Sequence, residues 1–135
     1  MARRIPSGKH RGFSLVELMI VLTIISIIVS IAVPLYQKSI VRAKESVLRN
    51  NLFTLRTVID EYTYDKAKAP QALQDLVTGG YLRQVPIDPM TNSSDTWRLV
   101  IEDMMTATNQ SEPGVFDVKS GSDKKALDGT SYSEW

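Results

Sequence analysis

The chain contains no cysteine and a single histidine, His10. Without cysteine, neither a disulfide framework nor a thiolate metal site is available. If the basic stretch around His10 is removed by processing, zinc sites with imidazole ligands and histidine-dependent triads are excluded too. A membrane-anchored enzyme would then have to use carboxylates, as glycosidases do, with Asp88, Asp103 and Asp117 as candidates. No spacing in the sequence brings a pair of them together, so we expect no enzyme.

Basic residues are concentrated in the first twelve positions, which contain no acid. The rest of the chain has 12 basic and 15 acidic residues, a net charge of −3. A nucleic-acid surface needs clustered basic side chains that displace counterions from phosphates. We therefore expect no nucleic-acid partner.

Charge is absent altogether from Leu18 to Gln37, where most residues are aliphatic. A run of ~20 such residues matches the ~30 Å hydrocarbon core of a bilayer at ~1.5 Å per helical residue. The run is longer than the apolar part of a secretory signal peptide, and Glu17 stands at its start. Residues 13–36 are therefore predicted to be a transmembrane helix. The basic residues that precede it favour a cytoplasmic N-terminus.

The pattern becomes amphipathic after Gln37. Apolar residues recur at helical spacing on one face through residue 62: Val41, Leu48, Leu52, Leu55, Ile59 and Tyr62. We interpret residues 37–65 as a stem that continues the membrane helix. The alternative is a short anchor followed by an unrelated soluble helix.

The remaining residues, 66–135, predict a small globular part. Gln71–Val77 has the pattern of a short helix stopped by glycines, and residues 97–102 and 114–119 read as two strands. Residues 121–135 read as a polar tail. The predicted fold class is α+β, with a long N-terminal helix packed on a small antiparallel sheet.

The sequence Gly12-Phe13-Ser14-Leu15-Val16-Glu17 stands between the basic stretch and the apolar run. This arrangement resembles the processing site of type IV pilins and type II secretion pseudopilins. The resemblance implies that residues 1–12 are a leader, which a prepilin peptidase cleaves after Gly12. It also implies that the same peptidase methylates the new N-terminal residue, Phe13, and that the mature chain forms a helical homo-oligomeric filament.

Glu17 has a separate physical argument. A carboxylate at the edge of a hydrocarbon layer costs roughly 2 kcal/mol or more towards the centre, so such residues normally have a partner. After cleavage, the α-amino group of Phe13 is the nearest cation, on the same or a neighbouring subunit. Pairing between subunits would fix their axial register and give Glu17 a role in assembly. The alternative is that Glu17 reaches the headgroups and pairs with nothing specific.

The second half of the chain is similar to major pseudopilins of type II secretion. The similarity lies in residues 81–89 with Trp97 after them, and in residues 116–123 through Asp128 to Trp135. Type IV pilins typically close this region with a disulfide, and Met90 stands where the secretion family usually has tryptophan. The resemblance implies an inner-membrane protein whose C-terminal part is periplasmic and whose partners are an assembly platform and minor pseudopilins. The alternative is a type IV pilin for adhesion, motility or DNA uptake.

The resemblance also implies a structural calcium ion in the C-terminal loop. Oxygen ligands are available within twelve residues, although not at EF-hand spacing: Asp117, Ser120, Ser122, Asp123 and Asp128. The alternative is a solvated polar tail. We expect Asp88 to be distant from this loop.

Overall fold

The computed structural model describes residue 8 and residues 12–135. Its elements follow in the order helix, helix, strand, strand and a 3₁₀ turn: α1 (Leu15–Lys66), α2 (Leu73–Thr78), β1 (Arg98–Ile101), β2 (Val115–Lys119) and Tyr132–Glu134. The predicted α+β class is confirmed. The predicted leader, apart from Gly8 and Gly12, lies outside the described residues.

The first part of α1 is apolar on every side. All residues from Phe13 to Lys38 are exposed, and the mean hydropathy over the most apolar 18-residue window is 2.8. Hydroxyl groups in this part donate to backbone carbonyls three or four residues earlier at 2.7–2.8 Å, namely those of Thr23, Ser26 and Ser30. These polar atoms therefore need no partner outside the helix. The helix is long and apolar enough to cross a membrane.

The chain divides into two compact units, one ending at Lys38 and the other spanning Ser39–Trp135. In the second unit α1 buries the predicted stem face. Leu48, Leu52, Leu55 and Ile59 have at most 2% of their surface exposed. Burial of a leucine or isoleucine side chain contributes roughly 1.5–3 kcal/mol, so these four residues are a major source of the unit's stability.

The two strands pair antiparallel, from Arg98 opposite Lys119 to Ile101 opposite Val115, with an irregularity next to Ile101. Val115 and Val118 are fully buried and belong to the same core cluster as the stem leucines. The strands and their topology were predicted correctly. This sheet places the C-terminal residues beside the stem.

Helix α2 begins two residues later and ends one residue later than predicted. Leu73 and Leu76 join the core. Gly80 ends the helical turn with φ +82°, a left-handed conformation that glycine adopts without strain. The stop predicted from the glycine pair is confirmed.

The C-terminal segment, which we define as Ser120–Trp135, is not a solvated tail. Ala126 and Tyr132 are 7% and 2% exposed and belong to the hydrophobic core. The rings of Tyr132 and Trp135 meet edge to face at 5.2 Å. The prediction of a polar tail was wrong because a small number of apolar residues, including Ala126 and Tyr132, is enough to pack this segment against the core.

Candidate functional site

The residues at the predicted cleavage point are accessible. Gly12, Phe13 and Ser14 precede α1, and all three are exposed. The first turn of the helix is closed by a hydrogen bond from the Leu18 N–H to the Ser14 carbonyl, 3.1 Å long. The bond between Gly12 and Phe13 therefore lies outside helical structure.

Glu17 lies in the first turn of α1 and is exposed. A carboxylate in this position interacts favourably with the unpaired N–H groups at the helix N-terminus. None of the ion pairs among residues 12–135 involves Glu17. Its carboxylate is therefore accessible to a second group, such as the amine that cleavage would create on Phe13.

The three acids predicted to bind calcium are each in contact with a different arginine. Asp117 pairs with Arg56 at 2.6 Å, and Asp123 pairs with Arg98 at 2.8 Å. Asp128 pairs with Arg49 at a longer distance, 3.8 Å. Hydrogen bonds from Thr130, first of all from its hydroxyl, lower the pKa of Asp128 below its ordinary value.

The two predicted serine ligands lie together, but their hydroxyls are engaged elsewhere. The Ser120 hydroxyl donates to Asp88, and the Ser122 hydroxyl accepts from the N–H of Lys124 at 3.3 Å. Within residues 12–135 no group of three or more Asp, Glu, His or Cys side chains could hold a metal ion. Calcium needs six to eight converging oxygens at about 2.3–2.6 Å. The five side chains as placed do not fit the ion, and calcium binding stays an untested prediction.

Asp88 is the organising carboxylate of this region, and it is fully buried. One of its oxygens accepts from the Ser120 hydroxyl at 2.7 Å and from the Gly121 N–H at 3.1 Å. The other accepts from the Met90 N–H at 2.8 Å. The expectation that Asp88 is distant from the C-terminal segment was therefore wrong. This carboxylate joins the loop after α2 to the start of that segment.

Glu45 makes a second connection to the C-terminal segment. One of its oxygens accepts from the Leu127 N–H and from the Tyr132 hydroxyl, both at 2.8 Å. Burial, together with this hydrogen bond, raises the pKa of Tyr132 to about 12. The tyrosine therefore remains a donor to the carboxylate at every physiological pH.

Reasoning from the sequence missed Asp88, Glu45 and Arg56 as members of this network. Asp88 carries a local signal, because an aspartate before proline commonly accepts from the N–H two residues ahead and starts a turn. The stem residues carry none, since charged side chains on a predicted helix are ordinarily solvated. Asp88, Asp103 and Asp117, named above as carboxylates for catalysis, have separate structural partners, with Asp103 accepting from the Met105 N–H.

Comparison with known proteins bears on the N-terminal residues first. Residues 7–33 match the family described as the prokaryotic N-terminal methylation motif. No solved structure matches the chain significantly. The motif agrees with the interpretation of Gly12 and Phe13 but covers only the start of the chain.

Similarity over a longer part of the chain decides the family. The type II secretion system core protein G of Klebsiella pneumoniae is 31% identical over 97 residues, which are 60% of this chain and 69% of that protein. The chain belongs to the core protein G family. The corresponding protein of Pseudomonas aeruginosa is 31% identical over 100 residues, 62% of this chain and 70% of that protein. The chain is thus a pseudopilin, as its resemblance implied.

The type IV major fimbrial protein FimA of Dichelobacter nodosus is also similar, at 41% identity over 62 residues. The match spans 46% of this chain and only 39% of that protein. Core protein G relatives cover more of both chains, so the secretion family is better supported than the fimbrial one. Its members are structural subunits, and the apolar helix agrees with a pilus-like protein anchored in the inner membrane.

Proposed function

We propose that this member of the core protein G family is the repeating subunit of a type II secretion pseudopilus that supports protein export. The observation that carries the proposal is the chain's combination of parts. An apolar helix without a single buried residue from Leu15 to Lys38 continues into a compact unit with its own core. Such a helix needs an apolar environment around it. The membrane supplies lipid before assembly, and the filament supplies neighbouring helices after it.

Processing is the first step of the proposed route. A prepilin peptidase cleaves after Gly12 and methylates the amine of Phe13. Three observations support processing at this site: the match to the methylation motif, the exposure of both residues, and the start of α1 only at Leu15. A Cβ at position 12 would meet nothing within 4 Å in the chain itself, so the fold does not require a glycine there. The absence of a side chain instead lets the peptidase approach the backbone closely.

Glu17 then acts in assembly. The new amine of Phe13 lies just before α1, and Glu17 in the first turn of that helix is the first acid after it in the chain, so we take the Glu17 carboxylate of the same or a neighbouring subunit as the partner of the amine. A pair between subunits satisfies two charges that would otherwise lie unpaired at the edge of the bilayer. The pair would set the axial step of the filament.

Orientation and partners follow from the charge pattern and the family. The basic residues before Gly12 stay in the cytoplasm by the positive-inside rule, which places Ser39–Trp135 in the periplasm. An inner-membrane assembly platform and minor pseudopilins are the expected partners of the mature subunit. The fimbrial similarity makes a type IV pilus subunit the second candidate.

Replacement of core protein G in a secreting host tests the proposal. The full chain should restore export of the host's secreted enzyme and appear in sheared filaments as residues 13–135 carrying one additional methyl group. An intact leader in functional filaments, detected by mass spectrometry, would refute the processing step. Filaments without export would favour the type IV pilus instead. A gene for this chain that lies beside a retraction ATPase would favour it too.

A further inference from the structure

The stem presents three charged residues to the C-terminal segment from one side of α1. Glu45, Arg49 and Arg56 are spaced by four and seven residues, which places them on the same side of a helix. Glu45 accepts two hydrogen bonds from the segment. The guanidinium of Arg49 lies over the ring of Trp135 at 4.2 Å and pairs with Asp128. Side chains of the stem therefore contact both the middle and the end of the C-terminal segment.

Arg56 makes the most connections of the three. Its Nε donates to Asp117 at 2.6 Å, and its Nη2 donates to the carbonyls of Val118 at 3.0 Å and Trp135 at 2.5 Å. A guanidinium offers five donors in a rigid fork, so one side chain serves three acceptors without losing its geometry. Arg56 thus joins α1, β2 and the last residue of the C-terminal segment.

The ion pairs place a positive charge beside each of the carboxylates that calcium would need. Each of the acids Asp117, Asp123 and Asp128 already has a guanidinium partner. Arginine does not lose its proton in proteins, so these positive charges remain next to the carboxylates and oppose a divalent cation. The hydroxyl of Ser120, which lies between Asp117 and Asp123 in the sequence, donates a hydrogen bond to the buried Asp88 carboxylate.

We infer that arginine and glutamate side chains of the stem, rather than calcium, hold the C-terminal segment of this chain in its fold. Glu45, Arg49 and Arg56 supply the fixed partners, and Asp88 holds the start of the segment. The inference concerns the single folded chain and does not depend on filament assembly.

Thermal unfolding of the full chain in detergent micelles tests this directly. Tryptophan fluorescence reports on the fold because Trp97 is buried in the core and Trp135 contacts Arg49. The midpoint should be the same in chelator, in magnesium and in about 10 mM calcium, roughly tenfold above the weakest extracellular calcium sites. Binding to the folded state alone would raise the midpoint. A saturable rise in calcium that magnesium does not produce and a chelator reverses would overturn the inference.

Variants test the role of the arginines. Arg56→Gln should lower the midpoint by several degrees, with no recovery in calcium, whereas Arg83→Gln at an exposed position should not change it. A second measurement uses Lys124 and Lys125, which are exposed in the segment. A lysine-specific protease should cut there several-fold faster in Arg56→Gln and in the milder variant Arg49→Gln. Unchanged cleavage rates in both variants would show that the arginines do not hold the segment.

Discussion

Replacement of Asp88 by asparagine tests the central contact of the globular unit. The carboxylate accepts from the Ser120 hydroxyl, the Gly121 N–H and the Met90 N–H while fully buried. Asparagine has the same shape but only one accepting oxygen, and its amide group is a donor. In either orientation of the amide, at least one of the two backbone N–H groups loses its acceptor and faces another donor.

The expected loss follows from that count. A buried donor without an acceptor costs about 1–3 kcal/mol, so Asp88→Asn should lower the free energy of unfolding by about 2 kcal/mol. Asp88→Ala removes every acceptor and leaves a cavity, and should cost about 4 kcal/mol. For a unit of roughly 60–100 residues, ~1 kcal/mol corresponds to ~4–8 °C in the melting midpoint. The asparagine variant should therefore melt about 8–16 °C lower.

The assay is thermal unfolding of the full chain in detergent, followed by tryptophan fluorescence. Trp97 is a suitable reporter because its indole N–H donates to the Pro86 carbonyl at 2.8 Å, in the same loop as Asp88. Asp95→Asn is the matched control, since this exposed aspartate stands in the same loop, and surface changes usually alter stability by less than ~0.5 kcal/mol. Equal midpoints for the two asparagine variants would refute the role assigned to Asp88.

Three further predictions concern the helix, the pH response and one glycine. Glu17→Leu should insert into the membrane at least as well as the original chain but give few sheared filaments, whereas equal filament yield would remove Glu17 from assembly. The pKa of Tyr132 is raised from 10.0 to about 12 in the folded state, so the protonated tyrosine makes its full contribution to the free energy of unfolding below pH 10. That contribution, about 2–3 kcal/mol, should be lost as the pH rises through about 12, and a Tyr132→Phe variant should lack this dependence in denaturant titrations. Gly121→Ala should prevent stable folding because its Cβ would collide with the Thr96 carbonyl, whereas Gly12→Ala, with open space around it, should not change the melting midpoint.

The sequence alone determined the features that depend on local pattern. An uncharged run from Leu18 to Gln37 predicts a membrane-compatible helix because length and apolarity are properties of consecutive residues. The stem face was equally readable, since residues that share a helix face recur at a fixed spacing. The two strands and the leader motif are also local, and their prediction required no knowledge of how the chain folds back.

Only the tertiary structure decided which polar residues meet. Asp88 contacts Ser120 across 32 residues, Arg56 reaches Trp135 across 79, and Glu45 reaches Tyr132 across 87. A charged residue on a predicted helix has the same pattern whether water or a distant segment satisfies it, so the sequence does not distinguish the two. The family resemblance implied that Asp117, Asp123 and Asp128 are calcium ligands, and the sequence did not show which other groups would lie beside them. In the folded chain each of these acids lies beside an arginine that is distant in the sequence.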